Sequence, residues 1–242
     1  MAVVRKIKTK VIDIIEYSAD IRFYKLETSN KNFDFKCGQF LQLAVDEYDA
    51  SYPWPESRCF SIISSPGNKD YIDILVSRKG NFTTRMFNEL ALNDTIWVKL
   101  PYGDFNFESE NNKELFFIAG GTGISPFISY LRLLLESEMK NKVNLYYGVK
   151  ETGLLIFTDL FDELKLKYDD INIHLYVENL TTPDSSSLMK GILPVNDITG
   201  YIINKYDSSV YLSGPPVMIN SFNKSLIEKG FSENKIHFDK WE

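Results

Sequence analysis

Leu115-Phe116-Phe117-Ile118-Ala119-Gly120-Gly121-Thr122-Gly123-Ile124-Ser125-Pro126 carries an apolar, strand-like run straight into a glycine turn and the start of a helix. The first turn of a helix leaves backbone N–H groups without partners and carries a partial positive charge, so glycines that admit a pyrophosphate make an anion cradle there. Pro126 suits a first helical turn, where its missing N–H costs nothing. Beyond it, Ile124, Phe127, Ile128, Leu131, Leu134 and Leu135 fall on one helical face that must pack on a sheet. Glycines stand at 121 and 123, but Pro126 occupies the close-packing position of the usual dinucleotide fingerprint. The plain alternative is a tight strand-to-helix turn that holds no ligand.

The chain's 242 residues suffice for one large or two modest domains, and 44% hydrophobic content supports real cores. A net charge of −6 without a long Lys/Arg run argues against a nucleic-acid surface. Small anions or proteins are the expected partners. Cys37 and Cys59, with no CxxC, cannot supply the four thiolates of an iron–sulfur centre or a zinc ribbon. Neither a signal-peptide core nor a membrane-length apolar run is visible, so membrane insertion is not expected and the chain reads as cytoplasmic.

Two rhythms divide the sequence. Up to about Leu100, β-rich runs recur between turn signals at 11–17, 21–28, 39–45, 59–64, 71–77 and 95–100, the pattern of an antiparallel β-barrel. After a polar linker around 108–113, strands at 115–119, 143–148, 171–177, 209–212 and 235–238 alternate with helices at 124–139, 156–167 and 215–229. That alternation predicts a five-stranded parallel α/β sheet covered on both faces. The domains are therefore expected at 1–108 and 113–242, with a surface loop at 180–189.

In the first half, Arg58-Cys59-Phe60-Ser61 brings together a bidentate anion ligand, a flat apolar plate and a hydroxyl. Gly80-Asn81-Phe82-Thr83-Thr84 looks like a second loop-to-helix junction with N–H groups for another phosphate. Taken singly, Arg58 also reads as a solvated or ion-paired arginine and Phe60 as a core aromatic.

Here a family enters. The runs at 58–61, 80–84 and 119–126, with Ser213-Gly214-Pro215-Pro216-Val217-Met218, resemble in order the motifs of the ferredoxin–NAD(P)H reductase superfamily, and Cys37-Gly38-Gln39-Phe40 resembles its Pro-Gly-Gln-Phe run. The resemblance implies an FAD-dependent oxidoreductase without its own iron–sulfur domain. It would take hydride from NADH or NADPH onto FAD and pass electrons to a protein or flavin acceptor. By the same resemblance Arg58 would hold the FAD pyrophosphate, with Cys59 beside it, Phe60 would flank the flavin ring and Ser61 would hydrogen-bond its N5. Leu75 and Val76 would line the ring, while Gly80, Asn81, Phe82, Thr83 and Thr84 would close on the phosphates. Gly121, Thr122, Gly123 and Pro126 would receive the nicotinamide nucleotide, beside Gly214, Pro215, Pro216 and Met218. Phe60 stands where many members have tyrosine, and Ser213 where cysteine is usual near the nicotinamide.

Tyr176-Val177-Glu178-Asn179 aligns with the place where NADP-using relatives carry Ser-Arg. A carboxylate at Glu178 accepts bonds from a free ribose 2′-OH and repels a phosphate, which favours NADH; Lys150 could still reach a phosphate, and Glu178 also reads as a solvated strand-end carboxylate. Trp241 resembles the terminal aromatic that lies against the flavin in several members, and it reads equally as an aromatic closing a hydrophobic edge. His174 and His237 lack a second ligand in metal spacing and read as structural, so no metal site is expected. Three roles stay open: a reductase for ferredoxin, flavodoxin or free flavin, the reductase component of an oxygenase system, or a flavin-binding regulatory or anchoring subunit with little turnover alone. Lys36, Arg78, Lys79 and Arg85 could meet an acidic carrier, or form an ordinary solvated rim.

Overall fold

A computed structural model describes residues 3–107, 113–137, 141–180, 187–205 and 207–239. Most of the expected linker and the middle of the 180–189 loop lie outside them. Internal contacts divide the chain into Met1–Glu108 with Ser125–Leu133, and Ser109–Ile124 with Leu134–Glu242.

The first unit is built on six antiparallel strands: β1 (Arg5–Ser18), β2 (Ile21–Thr28), β3 (Phe40–Ala44), β4 (Ser57–Ser61), β5 (Tyr71–Ser77) and β6 (Thr95–Tyr102), in the order β4-β3-β6-β1-β2-β5. Strand β1 starts at Arg5, earlier than the apolar run at Val11 suggests. Ile7, Thr9 and Val11 are buried while Lys6, Lys8 and Lys10 are exposed, so the lysines mark the solvent face of a half-buried strand. Inward residues such as Leu41, Leu43, Ile72, Ile74, Ile96 and Val98 form one core with Phe82, Met86 and Phe87 of α1 (Asn81–Glu89). Arg22 closes the far end of α1, its Nη1 donating to the Phe87 carbonyl at 2.7 Å.

The ladder leaves β4 and β5 as its two edges. They meet through a single bridge between Ile62 and Ile74. Helix α2 (Ser125–Glu136) contributes Ser125–Leu133 to this unit, with Phe127 6.0 Å from Phe105 and 5.8 Å from Phe107, centroid to centroid. Consecutive side chains from Ile124 to Leu131 are buried, a burial broader than the single apolar face read from the helical period.

The second unit holds a parallel sheet of β7 (Glu114–Gly120), β8 (Lys142–Val149), β9 (Ile171–Val177), β10 (Leu188–Lys190), β11 (Ser208–Ser213) and β12 (Ile236–Asp239), in the order β10-β9-β8-β7-β11-β12. This is six strands where the sequence pattern predicts five. The added β10 has only three residues, too few for a periodic signal, and pairs Leu188 with Leu175 at the sheet edge. Beside α3 (Thr158–Lys167) and α5 (Pro216–Glu228) lies α4 (Val195–Ile202), a helix of two turns in a span that the sequence reading left without structure. Ile198 and Ile202 pack it on Phe116, Ile118, Val210 and Leu212.

His174 stacks on Tyr146 with centroids 4.6 Å apart and planes 12° apart, and burial holds its pKa below the ordinary 6.5. A histidine kept neutral in the fold must charge on unfolding, so its contribution to stability is present above pH 6.5 and is lost as pH falls below it. Chemical denaturation of wild type and His174→Gln from about pH 8 to about pH 5 is expected to show a shallower acid-side decline in the variant.

Candidate functional site

Two groups of residues, one in each unit, assemble the expected positions. In the first unit the Arg58 guanidinium sits 5.2 Å over the Phe82 ring. This brings the arginine from β4 to the first turn of α1, whose N–H groups point out of the helix without intrahelical partners. Half of the Arg58 side chain is exposed, which leaves its charge open to an anion in exchange for the surface bond to Glu56 at 3.0 Å. Thr83 Oγ1 accepts from the amides of Lys79 and Gly80 at 2.9 and 3.1 Å, which fixes the loop entering the helix. A Cβ placed on Gly80 would meet nothing within 4 Å, and Asn81 and Thr84 are exposed, so the mouth of this turn is open. An arginine, a positive helix end and open backbone together fit a pyrophosphate.

Ser61 at the end of β4 and Leu75 on β5 are 6% and 5% exposed, and Phe60 is 9% exposed against the barrel core. The Val76 side chain is fully buried in that core rather than turned to solvent, as is most of Phe82. Cys59 is half-buried, and burial pushes its thiol pKa up, which keeps it protonated and unreactive. Arg85 is tied up elsewhere: it forks onto Asp46 at 2.9 and 2.6 Å and reaches Glu89 at 2.7 Å. Those bonds hold the Asp46 carboxyl below its usual range.

In the second unit the sheet order reverses beside β7, since the chain goes to β8 on one side and to β11 on the other. Ligands of open α/β sheets bind outside the carboxyl ends of the strands at such a point. The two segments found there are Gly121–Ile124, a 3-10 turn leading into Ser125, and Ser213-Gly214-Pro215. They pack backbone on backbone. A Cβ on Gly123 would overlap the Ser213 carbonyl and lie 2.6 Å from the Gly214 nitrogen. Gly214, at φ +149°, adopts a conformation that side-chain residues avoid, and a Cβ there would lie 2.9 Å from the Gly120 nitrogen. Gly121, also at positive φ, faces open space, so its backbone is available to a ligand. Thr122 is half-buried, and Pro126 is buried in the first turn of α2.

Ser213 is fully buried, its Oγ 3.5 Å from Asp239 Oδ2. Pro215 and Pro216 are exposed beside it, and Met218 lies over Gly120. Glu178 is exposed just beyond β9, its amide donating to the Val149 carbonyl at 3.0 Å, so the carboxylate stands at the carboxyl end of the sheet. Trp241 lies outside the described residues. Among the described residues no group of His, Cys, Asp and Glu is arranged to hold a metal, and no helix is long and apolar enough to cross a membrane.

Reading by motif missed Asp73 and Arg132, which bond to each other at 2.6 Å. The available signal was a single charge inside each of two apolar runs, Tyr71-Ile72-Asp73-Ile74-Leu75-Val76 and Tyr130-Leu131-Arg132-Leu133-Leu134.

Residues 8–107 match the family model described as an oxidoreductase FAD-binding domain, and residues 117–224 the one described as an oxidoreductase NAD-binding domain. Among curated proteins the chain is 26% identical to the phenol hydroxylase P5 protein of Acinetobacter pittii, over 98% of this chain and 66% of that protein. It is 27% identical to the electron transfer component of 2-halobenzoate 1,2-dioxygenase from Burkholderia cepacia, over 93% of this chain and 64% of that one. The chain thus spans about two thirds of the length of these relatives. Among solved structures, the Amycolatopsis cytochrome P450 reductase GcoB shares the fold at a TM-score of 0.85 and 22% identity, over 99% of this chain and 71% of that one.

Because a Cβ at Gly123 would meet only backbone, the Ser213 carbonyl and the Gly214 nitrogen, Gly123→Ala must push the two turns apart. NADH titration is expected to show at least about tenfold weaker binding, equivalent to about 1.4 kcal/mol, with FAD binding unchanged.

Proposed function

The chain belongs to the ferredoxin reductase-like family of FAD- and NAD-binding oxidoreductases, and from that premise we propose that it is an electron-transfer flavoenzyme, oxidising NADH and delivering the electrons to a separate acceptor protein. We assign residues 1–108 as the FAD-binding barrel and 113–242 as the NAD-binding domain. The observation that carries the reading is Arg58 over Phe82 at the open first turn of α1, an anion site with the flavin-motif residues on the adjoining strand.

Flavin, when bound, accepts two electrons as hydride and releases them singly, which is the chemistry required between a nicotinamide and a one-electron acceptor. The protein's part is binding and orientation. Arg58 and the first turn of α1, from Gly80 to Thr84, hold the pyrophosphate. Phe60 and Leu75 would bound the ring, and Ser61 would offer its hydroxyl to N5. The Gly121–Gly123 turn and Gly214 present backbone N–H groups to the dinucleotide, Pro215, Pro216 and Met218 bound its ring, and Ser213 keeps the approach small. No acid–base side chain is needed for hydride transfer itself.

The acceptor we favour is the oxygenase or other terminal component of a multi-protein system, supported by the names of the phenol hydroxylase and halobenzoate dioxygenase relatives. Ferredoxin, flavodoxin or free flavin is the second acceptor class. Cysteines 37 and 59, which form no disulfide, support action in the reducing cytoplasm.

Two measurements test the reading. Mixed anaerobically with NADH, the FAD-loaded protein should lose its yellow absorbance within seconds, and persistence of the oxidised spectrum would remove the enzymatic role and leave a binding subunit. In the same assay Glu178→Arg, which replaces a repelling carboxylate by a phosphate partner, is expected to raise the NADPH/NADH efficiency ratio by about tenfold or more. An unchanged ratio would detach Glu178 from cofactor choice.

A further inference from the structure

The barrel's two edge strands carry the expected flavin contacts, Ser61 on β4 and Leu75 on β5, and no continuous ladder joins them. Between them runs Ile62-Ile63-Ser64. The Ile62 amide donates to the Gln39 carbonyl at 3.0 Å and the Ile63 amide to the Asp73 carbonyl at 2.9 Å, while the Ser64 hydroxyl accepts from the Asp73 amide at 3.3 Å. The carbonyls of Ile63 and Ser64 are satisfied from α2. Arg132 Nη1 donates to the Ile63 carbonyl at 3.0 Å and the Ser129 hydroxyl to the Ser64 carbonyl at 2.8 Å. The same Arg132 nitrogen also donates to Asp73 Oδ2 at 2.6 Å. One guanidinium nitrogen therefore spans the seam, holding a carbonyl two residues after Ser61 and a carboxylate two residues before Leu75.

Asp73 is 1% exposed, and its second oxygen, Oδ1, is buried without a hydrogen-bond partner. A carboxylate this deep is costly, and a strand of otherwise apolar residues does not need it for packing. Phe60, Ile62, Ile72, Ile74 and Val76 belong to the barrel core, whereas Ser61, Ile63, Asp73 and Leu75 do not. The four fall at alternate positions, on the strand faces turned away from that core. The pair thus lies on the same strand faces as Ser61 and Leu75, two of the residues assigned to the flavin.

We propose that Arg132, paired with Asp73, is a positioning residue for the flavin: it fixes the separation of β4 and β5, and with it the placement of Ser61 and Leu75. The proposal rests on the flavin reading above. Its contacts to Ile63 and Asp73 go to a single nitrogen, so a lysine ammonium can replace the function in part, while a glutamine, uncharged and two bonds shorter, loses both the reach and the charge that hold the carboxylate.

The test compares the full chain with Arg132→Lys, Arg132→Gln and the double variant Asp73→Asn/Arg132→Gln, which leaves no buried charge unpaired and so keeps the fold. Three quantities are read: FAD affinity by titration of apoprotein, the visible absorption band and midpoint potential of the bound flavin, and its single-turnover reduction at saturating NADH. Displacement of reacting groups by a fraction of an ångström predicts that both Gln variants lose about tenfold or more in reduction rate. Their flavin band and potential shift, FAD affinity stays within about threefold of wild type, and Arg132→Lys recovers most of the rate. Gln variants with unchanged band, potential and rate, differing only in melting temperature, would reduce the pair to a structural brace and overturn the proposal. Failure of the wild-type apoprotein to bind FAD would instead sink the flavin reading itself.

Discussion

An antiparallel sheet that curls without closing leaves a gap where backbone groups have no ladder partner, and a buried unpaired carbonyl is expensive. In the first unit that gap falls between β4 and β5, and the protein fills it from a segment far along the chain. Ser129 and Arg132 supply the donors that the carbonyls of Ser64 and Ile63 require. This explains why the Ser125–Leu133 part of α2 groups with the barrel although it follows the first strand of the parallel sheet in sequence. It also explains why an arginine interrupts an apolar helix. The segment that continues β4 is covered by α2 rather than exposed, which is a usual remedy for unpaired strands.

Much of the architecture was legible because both halves obey their periods. The alternation of Ile72, Ile74 and Val76, and the unbroken apolar run from Leu115 to Ala119, are what a barrel strand and a doubly covered parallel strand respectively demand. Short elements escaped for physical reasons. Strand β10 spans Leu188–Lys190 and α4 only Val195–Ile202, lengths at which tertiary packing, not local pattern, decides the outcome. The early start of β1 was hidden by its lysines, which face solvent and read as a charged N-terminus until the buried Ile7 and Thr9 between them are seen.

The candidate sites were legible where chemistry imposes a residue type, as with Arg58 and the glycines at 121, 123 and 214, since only certain side chains accept those positions. They were illegible where the role is to hold another residue. Asp73 and Arg132 lie far apart in sequence, and nothing local marks them as partners; the bond that joins them is a product of topology. Motifs record contact with a ligand, whereas the groups that aim those motifs are recorded only in the fold.

The contact between the Gly120–Gly123 turn and Ser213–Gly214 differs in kind from the packing around it. Elsewhere in the two cores, spacing is negotiated among side chains that can rotate, exchange volume and absorb a substitution. At the end of β7 and β11 the Gly123 and Gly214 positions abut the Ser213 carbonyl and the Gly120 nitrogen, backbone atoms that have no rotamers. The gauge of that crevice is consequently set by bond lengths and strand spacing. A side chain added at Gly120, Gly123 or Gly214 meets an atom closer than 3 Å, so that spacing has no slack to give.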